Sequence, residues 1–135
     1  MQELIASKYA ERNGIDNTPN GEAMKNLVRI AYTLEIIRND LGSPVIISSG
    51  YRCPAVNNGV GGSSRSKHMQ GLAVDFTVVG YTPPQVVERI RNLVGYDKLI
   101  LEFDRWIHLG LSSNLRHEVL VARKVDNLTI YEILP

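Results

Sequence analysis

Two histidines and an aspartate stand where a metal could use them. The segment SKHMQGLAVDF, residues 66–76, carries His68 seven positions before Asp75, and WIHLGLS, residues 106–112, carries His108. Imidazole nitrogens and a carboxylate oxygen are lone-pair donors, and a metal needs only that such donors converge in space. Two imidazoles and one carboxylate leave a fourth position for water, which is the logic of a catalytic zinc site rather than a structural one. Zinc lowers the pKa of its bound water to about 7 and so yields a nucleophile near neutral pH. Such a site also needs a base that is not a ligand. Glu102 and Asp104 lie six and four positions before His108, and a turn near Asp104-Arg105 decides between them. A three-residue loop over 104–106 would pair Glu102 with His108 on one face, whereas a two-residue loop would put them on opposite faces. Asp104 suits the turn itself, so Glu102 is the preferred base and Asp104 the runner-up.

The elements that must position these residues are readable from periodicity. Residues 2–12 suggest a short first helix, and NGIDNTPN, 13–20, is dense in turn formers. The clearest helix is 21–42, where Met24, Leu27, Val28, Ala31, Leu34 and Ile37 recur at three- and four-residue steps and so line one buried stripe. Gly42 and Pro44 end it. A β-branched run, 44–50, reads as a strand. A loop of about twenty residues follows, 51–71, long enough to suggest a functional segment; its Gly59, Gly61 and Gly62 suit backbone with φ > 0. Residues 72–80 form a second strand, with Ala73, Asp75 and Thr77 on one face and Leu72, Val74 and Phe76 on the other. A helix over 82–95 opens on Thr82 and proline. Strands at 97–103 and 106–112 make one hairpin, and 118–135 makes another turned at Asp126-Asn127. Helices followed by a sheet with one helix interposed make an α+β fold.

The totals bound the function. The 135 residues suit a single domain, 1–135. Apolar residues at 44% and charged residues at 21% are an ordinary globular balance. A net charge of +1 gives no electrostatic footprint for nucleic acid or an anionic membrane. The N-terminus lacks the apolar core of a signal peptide, so a protein acting outside the cytoplasm would depend on some other route of release. The lone Cys53 excludes an internal disulfide framework and reads as a free buried thiol. His117 belongs to no motif and reads as a surface residue.

The stretch SGYRCPAVNNGVGGSSRSKHMQGLAVDF resembles the signature of the zinc D-Ala-D-Ala carboxypeptidase and endolysin family of metallopeptidases. The family hallmark is S-x-H-x-x-G-x-A-x-D, followed later by Trp-His or an aromatic-x-His. Ser66, His68, Gly71, Ala73 and Asp75 stand in that register, and Trp106-Ile107-His108 follows. SGYR and VNNGVGG are similar to the branch found in phage and prophage genomes, and the resemblance spans about residues 13–112. It implies N-terminal helices packed on a mainly antiparallel sheet around a central zinc cleft, with His68, Asp75 and His108 as Zn2+ ligands. The family's catalytic glutamate commonly stands three residues before the last histidine, and here position 105 is arginine. Glu102 would then be a longer-spaced substitute, as in the phage-associated branch. The resemblance also implies that Arg52 of SGYR lies at the cleft. A guanidinium there would suit a substrate carboxylate or the charge of a tetrahedral intermediate, and Ser49 and Ser66 would support the site.

The implied activity is zinc-dependent hydrolysis of amide bonds in peptidoglycan stem or cross-link peptides, by a monomer that engages neither nucleic acid nor membrane. The implied setting is a phage or prophage lysis or tail protein, made in the bacterial cytoplasm and acting at the cell wall. Two alternatives stand beside it. A two-histidine, one-carboxylate set also occurs in non-haem iron(II) oxygenases, but those combine a short His-x-Asp step with a jelly roll. A wall-binding or phage structural module could keep the fold without catalysis.

Overall fold

Helix packing on one face of a sheet leaves the other face free for chemistry. The computed structural model describes residues 1–135. Its helices are α1 (Gln2–Ile5), α2 (Lys8–Asn13), α3 (Gly21–Leu41), α4 (Pro54–Gly59) and α5 (Pro83–Ile90), with a 3-10 turn at Lys67–Gln70. Its strands are β1 (Val45–Ser49), β2 (Ala73–Val78), β3 (Lys98–Glu102), β4 (Trp106–Gly110), β5 (Glu118–Val125) and β6 (Leu128–Ile133). No helix is long and apolar enough to cross a membrane.

The α3 helix starts where the Asn20 side chain accepts from the Ala23 N–H and stops at Gly42, which is left-handed at φ 64. Its buried residues are Ala23, Leu27, Ile30, Leu34, Ile37 and Leu41, alternating four- and three-residue steps. This stripe is rotated from the expected one: Val28 is exposed, and Ala23 and Ile30 take the core positions. Hydrophobicity alone does not mark which flank of an apolar stripe meets the sheet; the docking of α3 does. The first helix is also two helices, because Ser7 caps α2 by accepting from the Ala10 N–H.

The six strands run in the order β1-β2-β4-β3-β5-β6. All neighbours are antiparallel except β3 and β5, which are parallel. One core gathers the inner stripe of α3, Val86, Val87 and Ile90 of α5, and Val74, Phe76, Leu99, Leu101, Ile107, Leu109, Val119 and Val121 from one sheet face. The opposite face holds a small second cluster of Ile100, Leu120 and Ala122, with Phe103 against it. Alternation along β2 and β4 therefore sends Val74, Phe76, Ile107 and Leu109 into the main core and Asp75 and His108 to the other side.

The expected twenty-residue loop is not structureless. It contains α4 and the 3-10 turn. Of its three early glycines only Gly61 has positive φ, at 75. Gly59 and Gly62 are there for space: a Cβ would run into the Tyr9 ring at the first and into Asn57 and Arg52 at the second. Cys53 is a free thiol, half-buried rather than buried. The last hairpin turns at Asp126 (φ 51) and Asn127 (φ 64), with Val125 paired to Leu128, the two-residue turn whose two central residues both need φ > 0.

Leu27 lies at the centre of the α3 stripe and is fully buried. Leu27→Ala is expected to lower unfolding free energy by about 2–5 kcal/mol, seen in urea denaturation as a lower midpoint with an unchanged slope.

Candidate metal centre

The register of the sheet assembles the centre. Ser49 pairs with Asp75, across an irregularity in β1 after Ile47, and Asp75 pairs with His108. Directly opposed residues share a sheet face, so the carboxylate and the second imidazole are neighbours by backbone pairing alone. His68 comes from outside the sheet. Its 3-10 turn is capped by Ser66, whose hydroxyl accepts from the His68 N–H at 3.2 Å. The turn ends at Gly71, left-handed at φ 71, where a Cβ would collide with the Ala23 carbonyl of α3. The glycine thus permits both the sharp turn into β2 and close packing on α3.

The candidate ligand atoms of His68, Asp75 and His108 lie within 4.8 Å of one another. His68 is buried, and its Nδ1 lies 2.7 Å from the Gly50 carbonyl oxygen. A carbonyl can only accept, so Nδ1 carries the hydrogen and Nε2 of the neutral ring has a bare lone pair. That Nε2 faces Asp75 Oδ2 at 3.4 Å. Two lone-pair atoms facing each other call for a cation between them or a proton on the ring. His108 Nδ1 lies 2.9 Å from Asp75 Oδ1; in one tautomer it donates there, and as a ligand it would give that proton up. The donor set, two imidazoles and a carboxylate, fits Zn2+, and the backbone bond that fixes the His68 tautomer is the support such ligands need. Burial pushes the Asp75 carboxyl upward, but its bonds to His108 and His68, and their charge, win and hold it well below the usual carboxylate range.

Arg52 reaches the same carboxylate, with Nη2 at 3.9 Å from Asp75 Oδ2. It is held from behind: Nε donates to Ser49 Oγ at 3.1 Å and Nη1 to Asn57 Oδ1 at 3.1 Å. Burial lowers the Arg52 pKa from its usual value, and the Asp75 charge opposes this. Asn57 is itself buried and donates to the Ser63 carbonyl at 2.8 Å. Ser49 therefore steadies Arg52, and Ser66 shapes the backbone that presents His68.

Glu102 pairs with Trp106, and Ile100 pairs with His108. The turn is a three-residue loop at 103–105, one position earlier than the 104–106 alternative. Glu102 is consequently diagonal to His108 rather than opposite it, but still on its face. Phe103 and Asp104 both have positive φ, at 55 and 56, and the Arg105 N–H closes the turn on the Glu102 carbonyl at 2.9 Å. Burial raises the Glu102 pKa; the His108 charge works against this and the Asp75 charge with it. Asp104 sits exposed in the turn. His117 is exposed as well, although its ring lies 4.9 Å from that of Tyr96.

Two supporting residues escaped the sequence reading. Asn57 is one. Asn17 is the other: buried in the 13–20 segment, it donates to the carbonyls of Ile5 and Tyr51 and accepts from the Cys53 N–H at 2.8 Å. It ties the N-terminus to the segment carrying Arg52. Neither asparagine has a sequence signal, because asparagine in a polar segment reads as a turn former.

Asn57→Ala should leave the Arg52 guanidinium and the Ser63 carbonyl short of partners and cost about 1–3 kcal/mol. Gly62→Ala should lower the melting temperature in the same direction, because its methyl group enters the Asn57–Arg52 contact. Thermal denaturation of the two variants checks both.

A family model described as peptidase M15 matches residues 1–110. Comparison with curated proteins returned no match.

Proposed function

The chain belongs to the peptidase M15 family, the zinc D-Ala-D-Ala carboxypeptidase-like peptidases, and on that premise we propose that it hydrolyses amide bonds in bacterial peptidoglycan peptides. Family members are zinc-dependent and act on such peptides. In this reading His68, Asp75 and His108 hold a Zn2+ ion, and the observation that carries it is the convergence of their three donor atoms within 4.8 Å. When bound, the ion would supply an acidified water and a Lewis-acid contact for the scissile carbonyl.

The chain's own groups do the rest. Glu102, on the face of the ligands without being one of them, accepts the proton of the attacking water and passes it to the leaving amine. Arg52 directs a guanidinium N–H at the oxygen that gains negative charge, and its bonds to Ser49 and Asn57 hold that fork ready before substrate arrives. Asp104, in the exposed turn, is the weaker candidate for the base. The position of Glu102 favours hydrolysis over a wall-binding module that has lost catalysis. The finer reading is a carboxypeptidase or endopeptidase acting as a monomeric single domain in phage or prophage lysis or in a tail. It would be made in the bacterial cytoplasm and reach the wall after release or on a particle. SGYR and VNNGVGG support that setting.

The deciding assay is release of new amino groups from purified peptidoglycan. Wild type should cut, chelator should stop it, and added zinc should restore it. Glu102→Ala should keep the metal and lose about 10²–10⁴-fold in rate, while Asp104→Ala stays near wild type. A Glu102→Ala variant that cuts normally would transfer the role to Asp104. Zinc-loaded protein that releases nothing from any wall type would favour the binding module.

The pH profile gives a second check. Glu102 must be ionised to take a proton, and its pKa is raised by burial. The acid limb of kcat/KM should therefore lie above the ordinary glutamate value of about 4.3, with activity falling as pH drops through it. A limb at or below that value would oppose Glu102 as the base.

A further inference from the structure

Residues 111–135 lie beyond the stretch matched by the family model, and they supply β5 and β6. Their register places alternate residues of both strands on the face that carries Asp75 and His108. Glu102 is opposite Trp106 on one side and opposite Ala122 on the other, and Ala122 is opposite Tyr131. Paired residues share a face, so Trp106, Glu102, Ala122 and Tyr131 form one row across four strands. The adjacent row on that face is Ser49, Asp75, His108, Ile100, Leu120 and Ile133.

Strands lie about 4.8 Å apart. Glu102 and Tyr131 are therefore about 10 Å apart at the backbone, with the small Ala122 between them in the row and Phe103 packed against the cluster it belongs to. Ala122 is fully buried, whereas Tyr131 is 54% exposed. Burial raises the Tyr131 pKa and the Glu102 charge raises it further, so the phenol stays a protonated donor at neutral pH. An extended peptide advances about 3.3 Å per residue, so 10 Å corresponds to about three residues. A dipeptide held at Glu102 ends short of Tyr131, and a longer chain does not.

We propose that Tyr131 is a substrate-binding residue of this centre, contacting the part of a peptide that lies about three residues from the amide being cut. The hairpin thereby selects stem-length peptides over dipeptides. This rests on the reading that the centre takes peptidoglycan peptides.

Calorimetric titration of the zinc-loaded Glu102→Ala chain, which keeps its peptides intact, separates the possibilities. The probes are a five-residue stem peptide and N-acetyl-D-alanyl-D-alanine, each measured with and without Tyr131→Ala. The five-residue peptide should bind about tenfold more weakly to the Tyr131→Ala form, and the dipeptide should bind equally to both. The melting temperature should not move, because Tyr131 is on an exposed edge strand. The proposal is overturned if both peptides weaken alike, if neither changes, or if the longer peptide binds no better than the dipeptide before Tyr131 is replaced. Length-selective binding that depends on Tyr131, in a wild-type chain that cuts no wall, would uphold the subsite and sink the hydrolase reading. If neither peptide binds, both fall.

Discussion

A carboxylate on an interior strand has to be paired, and the pairing of Asp75 organises this molecule. β2 lies between β1 and β4, so Asp75 has a neighbour on each side and little water. An isolated carboxylate taken out of water is costly enough to protonate instead. Here its two oxygens meet His108, His68 and Arg52. Each partner arrives by a different route: backbone register for His108, a capped 3-10 turn for His68, and the end of β1 for Arg52. The same carboxylate is thus the common partner of Arg52 and of both imidazoles.

The segment between β1 and β2 shows how such a cluster can be built from irregular chain. It lacks a hydrophobic stripe of its own and is held instead by directed polar bonds. Asn17 satisfies backbone groups from three places at once, Asn57 links Arg52 to Ser63, and the Gly50 carbonyl orients His68. Buried polar side chains that are fully satisfied fix one arrangement, because any alternative leaves a group unpaired. No buried side-chain nitrogen or oxygen lacks a hydrogen-bond partner.

The face that carries Asp75, His108 and Glu102 is not the main core face, and this separates most of the stabilising packing from the candidate site. The helices and the inner strand residues stabilise the fold from one side. The other side is free to hold a half-buried glutamate and a turn with two non-glycine residues at positive φ directly after it. Such backbone costs about 1–2 kcal/mol per residue, an expense that the packing behind the sheet offsets. The parallel pairing of β3 with β5 then continues the face of the candidate site past Glu102 into the C-terminal hairpin.

The sequence by itself determined the parts that depend on local pattern. The period-two alternation in LAVDF and WIHLG told which side chains oppose the core, the α3 periodicity told that a long amphipathic helix precedes them, and Asp126-Asn127 marked the last turn. The motif around His68 and Asp75, with Trp106-Ile107-His108 downstream, pointed to the donor set because metal chemistry restricts residue types tightly. Tertiary structure decided what depends on contacts distant in sequence. Which flank of α3 is buried, where the loop between Glu102 and Trp106 begins, and how Asn17 and Asn57 are spent all follow from neighbours that arrive from elsewhere in the chain. The placement of Tyr131 in the row of Glu102 has the same origin: strand order and register are set by pairing between distant segments, and no local periodicity encodes them.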